Sequence, residues 1–294
     1  MGLYRLVGAL GRVLIAAGAV VLLFVAYQLW GTGLQERQSQ DDLTQQFSQS
    51  LQAAPAAPGA PAQPEPGLPP PAGEAVAMIR IPKIGVEKAV VEGVGVPDLK
   101  KAPGHYPGTP LPGQPGNAAI AGHRTTYGAP FFELQQLETG DEIMVRTLQG
   151  EFRYLVDRTM VVRPDQVEVL DPTEDTRLTL TTCNPRFSAR QRLIVSAVLA
   201  GAPAPAPPPA VAAPPSNQPP PAVASDQEPG LSGERAPRGP ALVWGALAAA
   251  VWLAIVLLAR LWRRWPAYLL GAPVLLVVLY AFFENVARLL PANI

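Results

Sequence analysis

The hydrophobic pattern divides the chain into segments of different kinds. Val13–Trp30, Ala241–Ala259 and Trp265–Phe283 are almost unbroken apolar runs, the first interrupted only by Gln28. Roughly 20 apolar residues in a helix cross the hydrocarbon core of a bilayer, so each run predicts a transmembrane helix. Pro273 lies inside the third run and predicts a kink that a membrane helix tolerates. Residues 76–200 have a different pattern of short alternating or β-branched stretches. These are Val76–Ile81, Val86–Val94, Ala118–Ala121, Glu142–Thr147, Glu151–Val162, Arg177–Thr182 and Arg192–Leu199, and they predict strands. Glu142–Thr147 and Glu151–Val162 flank a "LQG" turn and read as a hairpin. Only Pro130–Leu137 and Pro164–Leu170 suggest short helices. Many short strands with Gly- and Pro-rich connections predict a mainly β domain, closed or nearly closed into a barrel.

Arginine placement orients the apolar runs. Arg5 and Arg12 precede the first run, and Arg260, Arg263 and Arg264 separate the other two. Short arginine-rich loops stay in the cytoplasm. Residues 1–12 are then cytoplasmic and 13–30 span the membrane outwards. The run is long for a signal peptide and no small-x-small site follows it, so it reads as an uncleaved anchor. Residues 31–240 are extracytoplasmic, 241–259 return, 260–264 stay inside and 265–283 lead out again. That leaves 284–294 as an extracytoplasmic tail and predicts a multi-pass protein of the cell membrane.

Composition explains how the domain is held. The chain combines 35 prolines with 48% hydrophobic residues, an odd pair for one soluble domain. Residues 31–75 begin as a polar helical stalk and become a linker of mostly Ala, Pro, Gly and Gln. Residues 201–240 form a second such linker, and neither linker buries enough apolar surface to fold. They bracket residues 76–200 as a single domain of ordinary size. The 23 basic and 23 acidic residues balance, which points away from a nucleic-acid partner.

The chemistry-bearing residues are few. Cys183 is the only cysteine, so it forms no disulfide within the chain, and the histidines are His105 and His123. Alternation along Arg177–Thr182 places Leu178, Leu180 and Thr182 on one face and Thr179, Thr181 and Cys183 on the other. His123 directly follows the apolar strand "AAIAG", and Arg192 opens the strand after Cys183. A thiol, an imidazole and a guanidinium at one barrel end would supply a nucleophile, a proton shuttle and a fixed cation for an oxyanion. Residue types and spacing alone leave two readings open, a buried packing sulfur or a nucleophile. An extracytoplasmic thiol with no second cysteine in the chain favours the second.

"TLTTC" (Thr179–Cys183) and "AIAGHR" (Ala119–Arg124) resemble the motifs of sortases, cysteine transpeptidases that attach proteins to the cell wall. "GHYPGTPLPGQPGNAAIAGHRTTYGAPF" and "TCNPRFSARQRLIV" are similar to the class E and class D-like sortases of actinobacteria, class E more closely. The resemblance covers residues 76–200 and implies a closed sortase-type barrel of about eight strands. It implies Cys183 as nucleophile, His123 as general acid/base and Arg192 as the oxyanion-stabilising arginine, with Arg124, Arg186 and Arg190 as competitors. Thr182 and Tyr106 are implied to bind substrate, whereas His105 reads as a loop residue making a turn hydrogen bond.

The implied substrates are secreted proteins with a C-terminal LAxTG- or LPxTG-like signal, cleaved between Thr and Gly. The implied acceptor is the amine of a lipid-linked peptidoglycan precursor. No cofactor is implied, and no metal, because the cysteine and histidines lack zinc-ligand spacing. The alternative is a membrane-anchored β-domain that binds a wall partner without catalysis.

Overall fold

The computed structural model describes residues 2–53, 70–205, 237–261 and 264–287, together with Leu231 and Leu289. Most of both Pro/Ala-rich linkers and of the C-terminal tail lies outside the described residues. The chain divides into two compact units, one of apolar helices and one within residues 32–234.

The helical unit contains α1 (Gly2–Ala26), α4 (Gly239–Leu261) and α5 (Arg264–Ala287). Among the described residues, three helices are long and apolar enough to cross a membrane. Apolar helices in lipid associate by packing, and small residues let them approach closely. Gly271 of α5 faces Ile255 of α4, and Gly245 of α4 faces Phe282. Phe24 and Tyr27 pack on Phe283, and the Tyr27 ring meets Tyr280 edge-on at 5.6 Å.

The other unit is a closed barrel of β1 (Ala75–Ile81), β2 (Val86–Glu92), β3 (Gly104–His105), β4 (Asn117–Ala121), β5 (Glu142–Thr147), β6 (Gly150–Val162), β7 (Arg177–Asn184) and β8 (Gln191–Leu199). Its strand order is β1-β2-β3-β4-β7-β8-β6-β5. The β2–β3 and β4–β7 pairs are parallel and the rest are antiparallel. Alternation sets the inner face: Ile143 and Val145 of β5 point in while Glu142 and Arg146 point out. Ile79, Ile120, Phe131, Leu178, Leu180 and Val195 share that interior.

The predicted strands appear with bounds shifted by a residue or two, and the hairpin closes at Gly150 as β5–β6. β3 was not anticipated, because two residues carry no periodicity. The short helices shrink to 3-10 turns, Leu134–Gln136 and Val167–Leu170, and a single helical turn, α3 (Val96–Leu99), follows β2.

The predicted helical stalk is α2 (Thr32–Ala53), and it packs on the barrel wall. The reason lies at β2. The strand's partner on one side is the two-residue β3, which pairs only with Val91 and Glu92. The Ala89 backbone is therefore left without a ladder partner on that side. The Gln40 carboxamide fills the gap: its Oε1 accepts from Ala89 N–H at 2.8 Å and its Nε2 donates to Ala89 O at 3.2 Å. A side-chain amide thus completes the sheet edge at Ala89 and satisfies that residue's N–H and C=O. Leu43 packs with Ala89, Val91 and Ala102, and Glu36 accepts a 2.7 Å salt bridge from Lys88. Burial raises the Glu36 carboxyl above its ordinary range, and Lys88 pulls it back down.

Candidate active site

β4 and β7 run in parallel with Ala121 level with Thr181. Extending that register by two residues on each strand brings His123 level with Cys183. Backbone and side-chain bonds hold the extension: Gly122 N–H donates to Thr181 O at 3.1 Å, and Thr182 Oγ1 donates to Gly122 O at 2.7 Å. Gly122 has to be glycine, because a Cβ there would meet the Phe131 ring at 2.6 Å. On the other side of β7, Cys183 stands directly opposite Arg192 of β8. The two elements flanking β7 thus bring the histidine and the arginine to the cysteine.

The site lies on the outer face of the wall. Cys183 clusters with Ala119, Ala121, Ile194, Tyr106 and Leu99, whereas Leu178 and Leu180 of the same strand belong to the barrel interior. The alternation predicted from sequence therefore holds, and Thr182 points away from the cysteine's face. Cys183 is 3% exposed, His123 4% and Arg192 1%.

The four arginines separate by environment. The Arg192 guanidinium is anchored by Nη1, which donates to Ala189 O at 2.9 Å and Gln191 O at 3.1 Å. Its Nε is buried without a hydrogen-bond partner. Arg124 Nη1 donates to Cys183 O at 2.8 Å and Asn184 Oδ1 at 2.7 Å, and Nη2 to Gln135 at 2.9 Å. Arg124 therefore braces the end of β7 through its backbone, and burial lowers its pKa, with Arg186 adding to the effect. Arg186 pairs with Glu133 at 2.7 Å and lies over the Phe132 ring, and Arg190 is exposed.

Tyr106 follows β3, and its N–H donates to Ala119 O at 2.9 Å, which seats its ring over the cysteine's face. Burial pushes its phenol up to about 12, while the nearby Arg192 charge pulls it down. His105 is a strand residue rather than the expected loop residue. Its Nδ1 lies 2.7 Å from Glu92 Oε2, and its Nε2 lies 3.0 Å from both Pro110 O and Thr109 Oγ1. That pair ties β2 to the loop after β3 and leaves the imidazole no face for the thiol.

Tyr127 is a site residue that sequence reasoning missed. Its ring lies 5.0 Å from the His123 ring, centroid to centroid, and it is buried. Tyr127 and Ala129 have φ of 48° and 43°, flanking Gly128 at 73°, a left-handed run that L residues rarely adopt. Two contacts from α2 hold this loop. Thr32 Oγ1 accepts from Tyr127 N–H at 3.3 Å, and the Glu36 carboxylate sits where a Gly128 Cβ would be. The only sequence signal was the Tyr-Gly pair itself, and its partners lie far away on α2.

Among the described residues no three His, Cys, Asp or Glu side chains converge as a metal site. The arrangement offers a buried thiol, an imidazole at its level and a fixed cation opposite, which is a set suited to acyl transfer.

Comparison with known proteins bears on the same residues. The sortase domain model matches residues 79–200. Sortase SrtE1 of Streptomyces coelicolor is 33% identical over 207 residues, 64% of this chain and 55% of that protein. Sortase D of Bacillus subtilis is 36% identical over 117 residues, 40% of this chain and 58% of that protein. The chain therefore spans a little over half the length of these two relatives. Sortase SrtE2 of Streptomyces coelicolor is 30% identical over 209 residues, which is 64% of this chain and 80% of that relative. The barrel, its thiol-bearing strand and these relatives place the chain in the sortase family.

Proposed function

We propose that this protein is a cysteine transpeptidase that cleaves the Thr–Gly bond of an LAxTG- or LPxTG-like signal and joins the signal's threonine to an amine. The observation that carries the reading is the register of Cys183 against Arg192, supported by the β4–β7 register, which continued by two residues sets His123 level with Cys183.

The Cys183 thiolate attacks the threonine carbonyl carbon and forms a tetrahedral oxyanion. Arg192 and a backbone N–H stabilise that charge. A guanidinium suits this role because it never titrates away and its fork is rigid. The C–N bond breaks as His123 gives its proton to the departing glycine amine, leaving a thioester on Cys183. An acceptor amine then attacks the thioester and loses its proton to His123, and the C–S bond breaks to restore the thiolate. Tyr106, seated over the same face, contacts the signal. Thr182 commits its hydroxyl to Gly122 O and orients the substrate through its backbone.

The acceptor is the amine of a lipid-linked peptidoglycan precursor, and the substrates are secreted proteins bearing the signal. The arginine pattern supports three membrane passes with the barrel on the wall side.

The test uses the full chain in detergent micelles with fluorogenic LAxTG and LPxTG peptides and Cys183→Ala as control. Mass spectrometry should find an acyl adduct on Cys183 that an added amine releases faster than water does. A folded protein with a reactive thiol and no adduct from either peptide would overturn the proposal.

A further inference from the structure

The sulfur that has to meet a signal on another protein is almost wholly covered. Cys183, Tyr106, His123 and Arg192 are each exposed by 4% or less. Part of that cover must leave before any macromolecular substrate can reach the thiol. Most of it is barrel wall and its connecting loops, including Leu99, Ala121, Val162 and Ile194. One member comes from elsewhere in the chain. Leu231, from the Pro/Ala-rich linker, is fully buried in the same apolar cluster as Cys183.

Leu231 is the only leucine in residues 201–240, a stretch of mostly Ala and Pro that has little else to bury. Removing one aliphatic side chain from water is the main hydrophobic gain open to that linker.

We infer that Leu231 is a resident occupant of the groove at Cys183, where it fills the place taken by the leucine of an incoming signal. The inference rests on the reading of Cys183 as a sortase nucleophile. The sequence also says why such an occupant is not consumed. In an LAxTG or LPxTG signal the scissile Thr–Gly pair occupies the fourth and fifth positions. Counting from Leu231, those positions hold Glu234 and Arg235. The occupant therefore offers no Thr–Gly bond and competes without turning over. Because it is tethered, its local concentration is set by the linker and reaches roughly millimolar for short flexible tethers, so a weak contact suffices. The groove's apparent affinity for a signal is reduced by the fraction of molecules in which Leu231 is seated.

The experiment compares the full chain with Leu231→Asp and Leu231→Ala in lipid nanodiscs, using two independent readouts. The first is the rate at which iodoacetamide alkylates Cys183, the only cysteine, and it needs no enzymatic activity. The second is steady-state turnover of the LAxTG peptide. Both variants should alkylate faster, by about 5-fold or more for Asp, and KM should fall by a similar factor with kcat unchanged. A synthetic peptide of residues 225–237 should slow alkylation of Leu231→Asp, and its Leu-to-Asp counterpart should not.

Equal alkylation rates in wild type and both variants would overturn the inference. Faster alkylation without turnover by any form would keep Leu231 as occupant and sink the proposed substrate. Turnover with no change in alkylation or KM would do the reverse.

Discussion

Cys183 and Arg192 face each other directly across the β7–β8 ladder, and the arginine is the largest fully buried side chain among the described residues. A cation is expensive to bury, and Nη1 of this one donates to two backbone carbonyls, Ala189 O and Gln191 O. Its Nε is buried without a hydrogen-bond partner, which fits the proposed role of meeting charge that develops beside the thiol.

Arg192→Lys keeps a charge but loses the planar fork. Its kcat should fall by about 10²–10³, the range for one lost oxyanion donor. Single-turnover acylation of Cys183 measures this, and a variant that acylates at the wild-type rate would remove Arg192 from the chemistry.

The Tyr127 ring lies against His123 and its backbone is left-handed, so it restricts the imidazole. Tyr127→Met should lower kcat by about 10–100-fold with KM nearly unchanged, because small displacements of a catalytic group have effects of that size. Tyr127→Phe keeps the ring and should retain most of the rate. Histidine Cε1–H spectra give a second view: the His123 line should move in Tyr127→Met while the His105 line stays. Equal kcat in the two variants would leave Tyr127 as packing alone.

The α2 helix should behave as part of the barrel's stability. Phe47 is 2% exposed, and Phe47→Ala should cost about 3–5 kcal/mol. Gln40→Ala strands the Ala89 N–H and C=O and should cost about 1–3 kcal/mol. Urea unfolding of a piece spanning 32–205, followed by far-ultraviolet circular dichroism, reads both. A 76–200 piece as stable as 32–205 would refute this role for α2.

Tyr106 and Tyr154 are both pushed up to about 12, chiefly by burial. The unfolded chain ionises its tyrosines near pH 10, so between about pH 10 and 12 the folded form binds more protons than the unfolded form. Stability is therefore fully present below pH 10 and falls as pH rises through that window. The slope is on the order of 1 kcal/mol per pH unit for each tyrosine. Urea midpoints at pH 9 and 11 should show the fall, and Tyr106→Phe should make it shallower. An unchanged slope in that variant would contradict the assignment.

The sequence by itself determined the features that depend on neighbours along the chain. Alternation located the strands, put Leu178 and Leu180 on one face and Cys183 on the other, and marked the hairpin at "LQG". Unbroken apolar runs marked α1, α4 and α5, since length and hydropathy are one-dimensional properties. The motifs around His123 and Cys183 were enough to suggest the family. Only the tertiary structure decided the features that depend on barrel closure. β3 is too short to have a period and exists because β2 and β4 flank it. Its shortness leaves the Ala89 backbone without a strand partner on that side, and that gap gives Gln40 and α2 their place. Tyr127 reaches His123 through a loop that α2 holds, and Leu231 joins the apolar cluster of Cys183 from a linker whose composition predicts no fold. Each is a contact between residues far apart in sequence, where no local pattern records the partner.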